Sequence, residues 1–329
     1  MPDADKTALA ARDPLAHVAS ALEALTGSHD APLLLAVSGG PDSMAMLDIV
    51  RRGWAGPVFA ATVDHRLRAE SADEAAMVAA YCAKSGIFHA ILHPDAPITG
   101  NLQSAARAVR YRLLAQEAAR TGAHFIVTAH HADDQLETML MRLARGSGVD
   151  GLAAIRARNG QVIRPLLGLR KADLERHCAA CDIPFVHDPS NANVDFDRAR
   201  MREKLQGFDL IDPLLAVRSA SALAEAVEAL DWITVREAAR AITTGNGTAM
   251  LTCTGYPPAL LRRLVLACLL QVEPGLKPRG EALGRVIAIL QDGGQTMIGN
   301  VLCTGDSEAW RFVQAPARRP GGSRARATE

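Results

Sequence analysis

Two periods of apolar residues alternate along the first half of the chain. Short apolar runs of strand length occur at Leu33–Ser38, Val58–Asp64, Phe88–His93 and Phe125–Ala129. Between them, apolar residues recur at three- and four-residue spacing over Asp42–Arg52, Ser71–Lys84, Asn101–Thr121 and Ala132–Arg145, with a further helical stretch at Ala10–Thr26. Ser71 and Glu74 stand at the spacing of a capping box, and Asn101 suits a helix cap. Alternating strands and helices predict a parallel sheet covered on both faces. Ligands of such sheets sit beyond the carboxyl ends of the strands. Ser38, Asp64 and His130 all fall at those ends, which predicts one shared pocket.

From Arg164 the alternation weakens. Lys171–Cys181 and Asp195–Leu205 read as helices, followed by an Ala-rich helical stretch at Leu214–Ala241, a Leu-rich one at Pro257–Gln271 and another at Gly280–Gln291. Met297–Val313 has room for a small hairpin. A boundary near Asp212-Pro213 divides a predicted α/β domain (residues 1–212) from a mainly helical appendage (213–314). The Arg-, Pro- and Gly-rich residues 315–329 are predicted to be a disordered tail.

Composition narrows the class. Hydrophobic residues make up 49% of 329, enough for packed cores and too many for a disordered chain. Lys plus Arg equals Asp plus Glu at 36 each, so a nucleic-acid partner would need a local basic face. Aromatics at 4% argue against base stacking as the main grip. Six cysteines in a chain of this length do not suggest a disulfide scaffold. The first residues hold no apolar signal core, and no apolar run approaches ~20 residues. A cytoplasmic protein with reduced thiols and no membrane contact is expected. Oligomeric state is left open, a homodimer being one compatible arrangement.

The densest chemistry lies in Leu33–Val50, LLLAVSGGPDSMAMLDIV, which reads as strand, glycine turn and helix N-terminus. Gly39 and Gly40 permit positive φ and close approach to a ligand, and the free amides of a helix start attract anions. The turn carries neither the Lys of a Walker A loop nor GxGxxG. Ser38, Gly39, Gly40, Pro41, Asp42 and Ser43 fit a different pyrophosphate cradle, with Asp42 able to hold Mg²⁺.

Four further clusters follow. Asp64-His65-Arg66-Leu67-Arg68 ends a strand, where base and ribose contacts are usual. Arg107 and Arg110 lie one helical turn apart, suited either to phosphate or to a solvated basic face. His130-His131-Ala132-Asp133-Asp134, with Glu137, enters a helix; its acids either stabilise the helix start or form a substrate pocket for Mg²⁺ or a cationic amine. The adjacent histidines lack the spacing of a helical zinc pair. His187-Asp188-Pro189-Ser190-Asn191 makes a turn and cap before a basic run of Arg198, Arg200, Arg202 and Lys204, suited to RNA phosphate or to solvent.

SGGPDS resembles the PP-loop of the N-type ATP pyrophosphatases, which split ATP between the α and β phosphates. The ordered set SGGPDS, VDHRLRAES, NLQSAARAVRYRLL, TAHHADDQLETMLMRLARGSG, IRPLLGLRK, DPSN and the basic helix resembles bacterial tRNA(Ile)-lysidine synthetases, over roughly Leu33 to Arg202. The resemblance implies a Rossmann-like PP-loop domain and an appendage that binds tRNA. It implies ATP at Ser38–Ser43 with Asp64 and His65, and Mg²⁺ at Asp42. It implies lysine at Asp134 and Glu137 beside His131, Arg110 near the transferred phosphate, and Arg107, Arg198 and Arg202 toward tRNA. The implied reaction joins L-lysine to C2 of the wobble cytidine in the CAU anticodon of an isoleucine tRNA, through an adenylated cytidine. One departure stands in the basic helix, where the family pattern Arg-Asn-x-apolar-Arg has Ala199 in the Asn position.

Three other readings are compatible with a PP-loop. A PP-loop tRNA cytidine 2-thiolase would need a sulfur carrier or a Cys-ligated cluster. Cys178-Ala-Ala-Cys181 is the one CxxC, and it reads as a pair of small helical residues. A non-catalytic binding protein is disfavoured by the intact loop. A glutamine-fed synthetase is disfavoured by the lack of an evident amidotransferase segment.

Overall fold

The computed structural model describes residues 13–65, 71–96, 102–186, 197–205, 207, 210–278 and 280–315. Arg66, Arg68, Asn101, the His187–Asn191 turn and the tail beyond residue 315 lie outside the described residues, as does the side chain of Arg198.

The expected alternation is present. Helix α1 (Pro14–Thr26) precedes β1 (Leu33–Ala36), α2 (Pro41–Gly53), β2 (Val58–Val63), α3 (Ser71–Lys84), β3 (Phe88–Leu92), α4 (Leu102–Thr121), β4 (Phe125–Val127) and α5 (Ala132–Leu143). A short turn of helix, α6 (Val149–Leu152), leads to a two-residue hairpin of β5 (Arg158–Asn159) and β6 (Val162–Ile163), then to α7 (Lys171–Ala180) and α8 (Asp197–Leu205). The strands form one sheet in the order β3-β2-β1-β4-β6-β5, parallel except for the β5–β6 pair. The hairpin was not expected, because two residues are too few for a periodic signal.

β1 explains why the sheet is layered. All four of its residues are buried, and alternate ones serve opposite faces. Leu33 and Leu35 join Val18 and Leu22 of α1, Met44 and Leu47 of α2, Val78 of α3 and Leu174 of α7. Leu34 and Ala36 pack with Leu114 and Ala118 of α4. Each of the three leucines stabilises the fold by about 1.5–3 kcal/mol. Leu33 pairs with Val58 on one side and Phe125 on the other, so strand order reverses at β1. The crevice at such a reversal, beyond the carboxyl ends, is where open α/β sheets bind ligands.

In space the chain divides between residues 224 and 225, within the helix α9 (Pro213–Ala241) that starts at the Asp212-Pro213 boundary expected from sequence. Beyond that division lie β7 (Ile242–Gly245), β8 (Thr248–Leu251), α10 (Pro258–Val272), α11 (Gly280–Gln291), β9 (Gln295–Ile298), β10 (Val301–Gly305) and β11 (Trp310–Gln314). The five strands make an antiparallel sheet, β7-β8-β11-β10-β9, whose core holds Leu264, Leu269, Val286, Cys303, Trp310 and Phe312. The helices match the expected stretches, and the anticipated hairpin is the β9–β11 meander. The β7–β8 hairpin was not anticipated, because Thr-rich four-residue strands carry little apolar pattern. All six cysteines are free thiols, and among the described residues no helix is long and apolar enough to cross a membrane.

Candidate active site

The glycine turn after β1 has the geometry of an anion cradle. Gly39 has φ of 88°, a left-handed conformation that a side chain strains. Gly40 is the extended N-cap of α2, and Pro41 takes the first helical position, where no N–H is needed. Ser43 Oγ accepts from the Ser38 N–H at 3.1 Å and donates to Gly40 O at 3.0 Å, which closes the turn on itself. The first amides of α2 have no intrahelical acceptor and point out of the turn.

Asp42 joins this turn to the start of α5. Its Oδ1 is buried with no hydrogen-bond partner among the described residues, and its Oδ2 lies 3.5 Å from Nε2 of His131. The same Nε2 is 3.5 Å from Asp134 Oδ2, and Nδ1 is 3.4 Å from Asp133 Oδ2. Burial works against the His131 charge, but the Asp133, Asp42 and Asp134 carboxylates outweigh it and raise the pKa to about 10. His131 is therefore an imidazolium at neutral pH. Burial likewise opposes the Asp134 charge, and His131, His130 and Arg202 hold that carboxyl below its ordinary range. Asp133 turns away from the other acids and accepts the Lys171 N–H at 2.8 Å.

Asp134 and Glu137, one turn apart on α5, share a cation. Arg202 on α8 donates from Nε to Glu137 Oε1 at 2.7 Å and from Nη2 to Asp134 Oδ1 at 3.1 Å. The basic run suggested RNA phosphate for Arg202, but its side chain lies in the acid pair. Arg200 is exposed.

A second group of charges, Arg107, Arg110 and Arg164, acts on His130. Asp64, at the end of β2, accepts from Ser71 Oγ at 2.7 Å and lies 3.7 Å from His93 Nδ1. Burial and the charge of Arg110 lower the pKa of His65. Arg107 is exposed and lies 5.0 Å across the Tyr111 ring. His130 follows β4, with Nδ1 3.0 Å from Thr128 Oγ1. Burial, then the charges of Arg164, Arg107 and Arg110, outweigh Asp134 and push the His130 pKa down to about 3. Thr128 and Arg164 were given no role from the sequence, although they lie in TAHHADDQ and IRPLLGLRK, two of the motifs that carry the resemblance.

A third polar group braces α2 from behind. Asp48 accepts from Arg51 at 2.8 Å and from Tyr81 at 2.9 Å, and pairs with His177 Nε2 at 2.8 Å. Cys181 Sγ accepts from Arg52 at 3.2 Å. Asp48, His177 and Cys181 lie close enough to suit a metal, but Arg51 and Arg52 already supply the positive charge there. Cys178 Sγ donates to Pro41 O at 3.5 Å, and the Val186 N–H donates to Gly39 O at 3.0 Å. Both cysteines of the CxxC thus contact protein groups around α2.

The family description "PP-loop domain" matches residues 14–208, the whole sheet and its site. The tRNA(Ile)-lysidine synthase of Zymomonas mobilis is 40% identical over 310 residues, covering 90% of this chain and 94% of its own length. The chain belongs to the tRNA(Ile)-lysidine synthase family. A second synthase, from Novosphingobium aromaticivorans, is also 40% identical and covers 87% of this chain and 89% of its own. Among solved structures, the U34-tRNA thiolase NcsA of Methanococcus maripaludis with its [4Fe-4S] cluster superposes with a TM-score of 0.53 at 16% identity, over 64% of this chain and 78% of its own. That likeness establishes the shared fold alone. Membership of the synthase family makes this chain a PP-loop enzyme, and the PP-loop family implies ATP binding.

Proposed function

We propose that the enzyme ligates L-lysine to C2 of the wobble cytidine in the CAU anticodon of an isoleucine tRNA, with ATP cleaved to AMP and diphosphate. The observation that carries this reading is the acid pair Asp134 and Glu137. It already grips a guanidinium, so it is a pocket for a cationic nitrogen, and His131 connects it to the PP-loop acid Asp42.

In the first step, cytidine O2 attacks the α-phosphorus and the bond to diphosphate breaks. Loop amides and the Ser38 and Ser43 hydroxyls hold the phosphates, and Arg110 balances charge at the transferred group. Asp64 and His65 line the nucleoside end. The orphaned, buried Oδ1 of Asp42 suits a cation ligand, so Asp42 fits Mg²⁺, which would neutralise phosphate charge. In the second step the lysine ε-ammonium gives up a proton to the surrounding carboxylates or water, the resulting amine attacks C2, the C2–O bond breaks and AMP leaves. Asp134 and Glu137 receive the ammonium in place of, or beside, Arg202. Arg107, which is exposed, meets the tRNA.

The test is incorporation of radiolabelled lysine into an unmodified transcript of that tRNA with ATP and Mg²⁺, beside an Asp42→Ala control. Label that disappears with Asp42→Ala supports the ligase. ATP cleaved without label refutes it and favours a cytidine 2-thiolase.

A further inference from the structure

Arg164 follows β6 directly, one position beyond the Val127–Ile163 pair and therefore level with Thr128 of the β4 end. Its Nη1 donates to Arg156 O at 2.7 Å, while Nε is buried and has no hydrogen-bond partner among the described residues. The residue is only 6% exposed, and among the described residues no carboxylate pairs with it. A buried guanidinium without a counter-charge is costly and persists where something beyond the fold balances it.

The surroundings add to the imbalance. Strand alternation puts Arg164 on the same sheet face as Ile126 and Val162, the face covered by α4. Arg107 and Arg110 lie on that helix, and among the described residues neither has a carboxylate partner. All three charges reach His130, which Thr128 orients. The carboxyl edge of the sheet is thus acidic at α5 and cationic toward α4, and Arg164 is the most deeply buried of its cations.

We propose that Arg164 is an oxyanion-binding residue at the floor of the cationic side, taking carboxylate or phosphate oxygens of a substrate on its Nε edge. This rests on the ligation proposed above, whose small substrates carry both chemistries: the α-carboxylate of lysine and the phosphates of ATP. Its burial favours these over the backbone of a large RNA.

The experiment compares wild type with Arg164→Met and Arg164→Lys in three measurements on the full chain. The first is the KM for lysine against that for lysine amide, which lacks the carboxylate. The second is tRNA-dependent ATP–pyrophosphate exchange. The third is Tm with and without millimolar lysine, inorganic phosphate or pyrophosphate.

A carboxylate site gives a lysine KM at least tenfold higher in Arg164→Met, loss of the preference for lysine over its amide, and unchanged exchange. A phosphate site gives at least a tenfold loss of exchange with lysine KM unchanged. In both cases Arg164→Met without ligand melts no lower than wild type, because an uncompensated charge has gone, and it loses the Tm gain from the matching ligand; Arg164→Lys keeps part of that gain. Unchanged kinetics and unchanged ligand-induced Tm gains in Arg164→Met would overturn the proposal, as would a Tm loss that lysine substitution fully repairs with no kinetic change. If wild type incorporates no lysine, the ligase reading fails by itself, and the Tm measurements still decide the role of Arg164.

Discussion

Arg202 Nε sits 2.7 Å from Glu137 Oε1, so the acid pair of α5 is already holding a protonated nitrogen. A charge-assisted bond of this kind contributes roughly 1.5–3 kcal/mol, or about 10- to 100-fold in affinity. Glu137→Gln keeps the shape and removes the charge. It is expected to raise the lysine KM by about that factor while leaving the KM for ATP within about twofold. Steady-state kinetics with each substrate varied in turn check this; a rise in both constants together would count against a lysine-specific role.

Asp42→Asn separates the loop's architecture from its charge. The turn is closed by Ser38, Gly40 and Ser43, none of which needs the Asp42 carboxylate. The variant is expected to lose some Tm, because buried His131 loses one of its carboxylate partners, and to lose tRNA-dependent ATP–pyrophosphate exchange by about 100-fold or more, the usual size of a lost charge-stabilising group. Exchange assays over a Mg²⁺ titration, with a melting curve alongside, give both numbers.

His130 makes folding sensitive to acid. Burial and the nearby arginines depress its folded pKa to about 3, against about 6.5 in an unfolded chain. Between those values the unfolded chain takes up a proton that the folded one refuses. Stability attributable to neutral His130 is therefore present above pH ~6.5 and is lost as pH falls toward ~3. By pH 5 the loss is on the order of 1–2 kcal/mol. His130→Asn, which cannot titrate, is expected to lose less between pH 7 and pH 5 in urea melts.

Gly39→Ala isolates the cost of the loop's left-handed residue. An added Cβ would meet Met77 Cε at 3.4 Å, an ordinary contact, so the penalty is in the backbone at about 1–2 kcal/mol. Gly27, with φ of 71° and open space around it, is the control for strain without function. Both alanine variants are expected to lose a similar few degrees of Tm, and only Gly39→Ala to raise the KM for ATP. Equal kinetics in the two would mean the turn does not shape a nucleotide site.

The sheet was legible in the sequence because each of its first four strands is a compact apolar run. The loop was legible because Gly-Gly followed by Asp and Ser at a helix start has few structural uses. What escaped was two-residue β6, too short for any period, and with it Arg164, whose isolation from acids exists only after β6 is laid beside β4. Arg202 escaped differently: a basic run looks solvated until α8 is seen to bring one member back to α5. The acids Asp133 and Asp134 are sequence neighbours that both reach His131, but Asp133 also accepts the Lys171 N–H while Asp134 holds Arg202, and neither partner is near in sequence. Asp48 and His177 could not be paired by eye, because they meet across α2 and α7 with no shared motif.

The reversal of strand order at β1 also dictates when the pocket can exist. Leu33 meets Val58 after one short crossover, but it meets Phe125 only once β2, β3 and their helices have been set aside. Closing that larger loop of about 90 residues costs about 1 kcal/mol more entropy than the smaller one. The high sequence separation places the β1–β4 contact among the slow events of folding. A chain growing from a ribosome would display its glycine turn long before the wall carrying His130 and His131 arrives. The crevice at the strand reversal is thus completed late in the nascent chain, and a fragment ending before β4 holds the glycine turn without it.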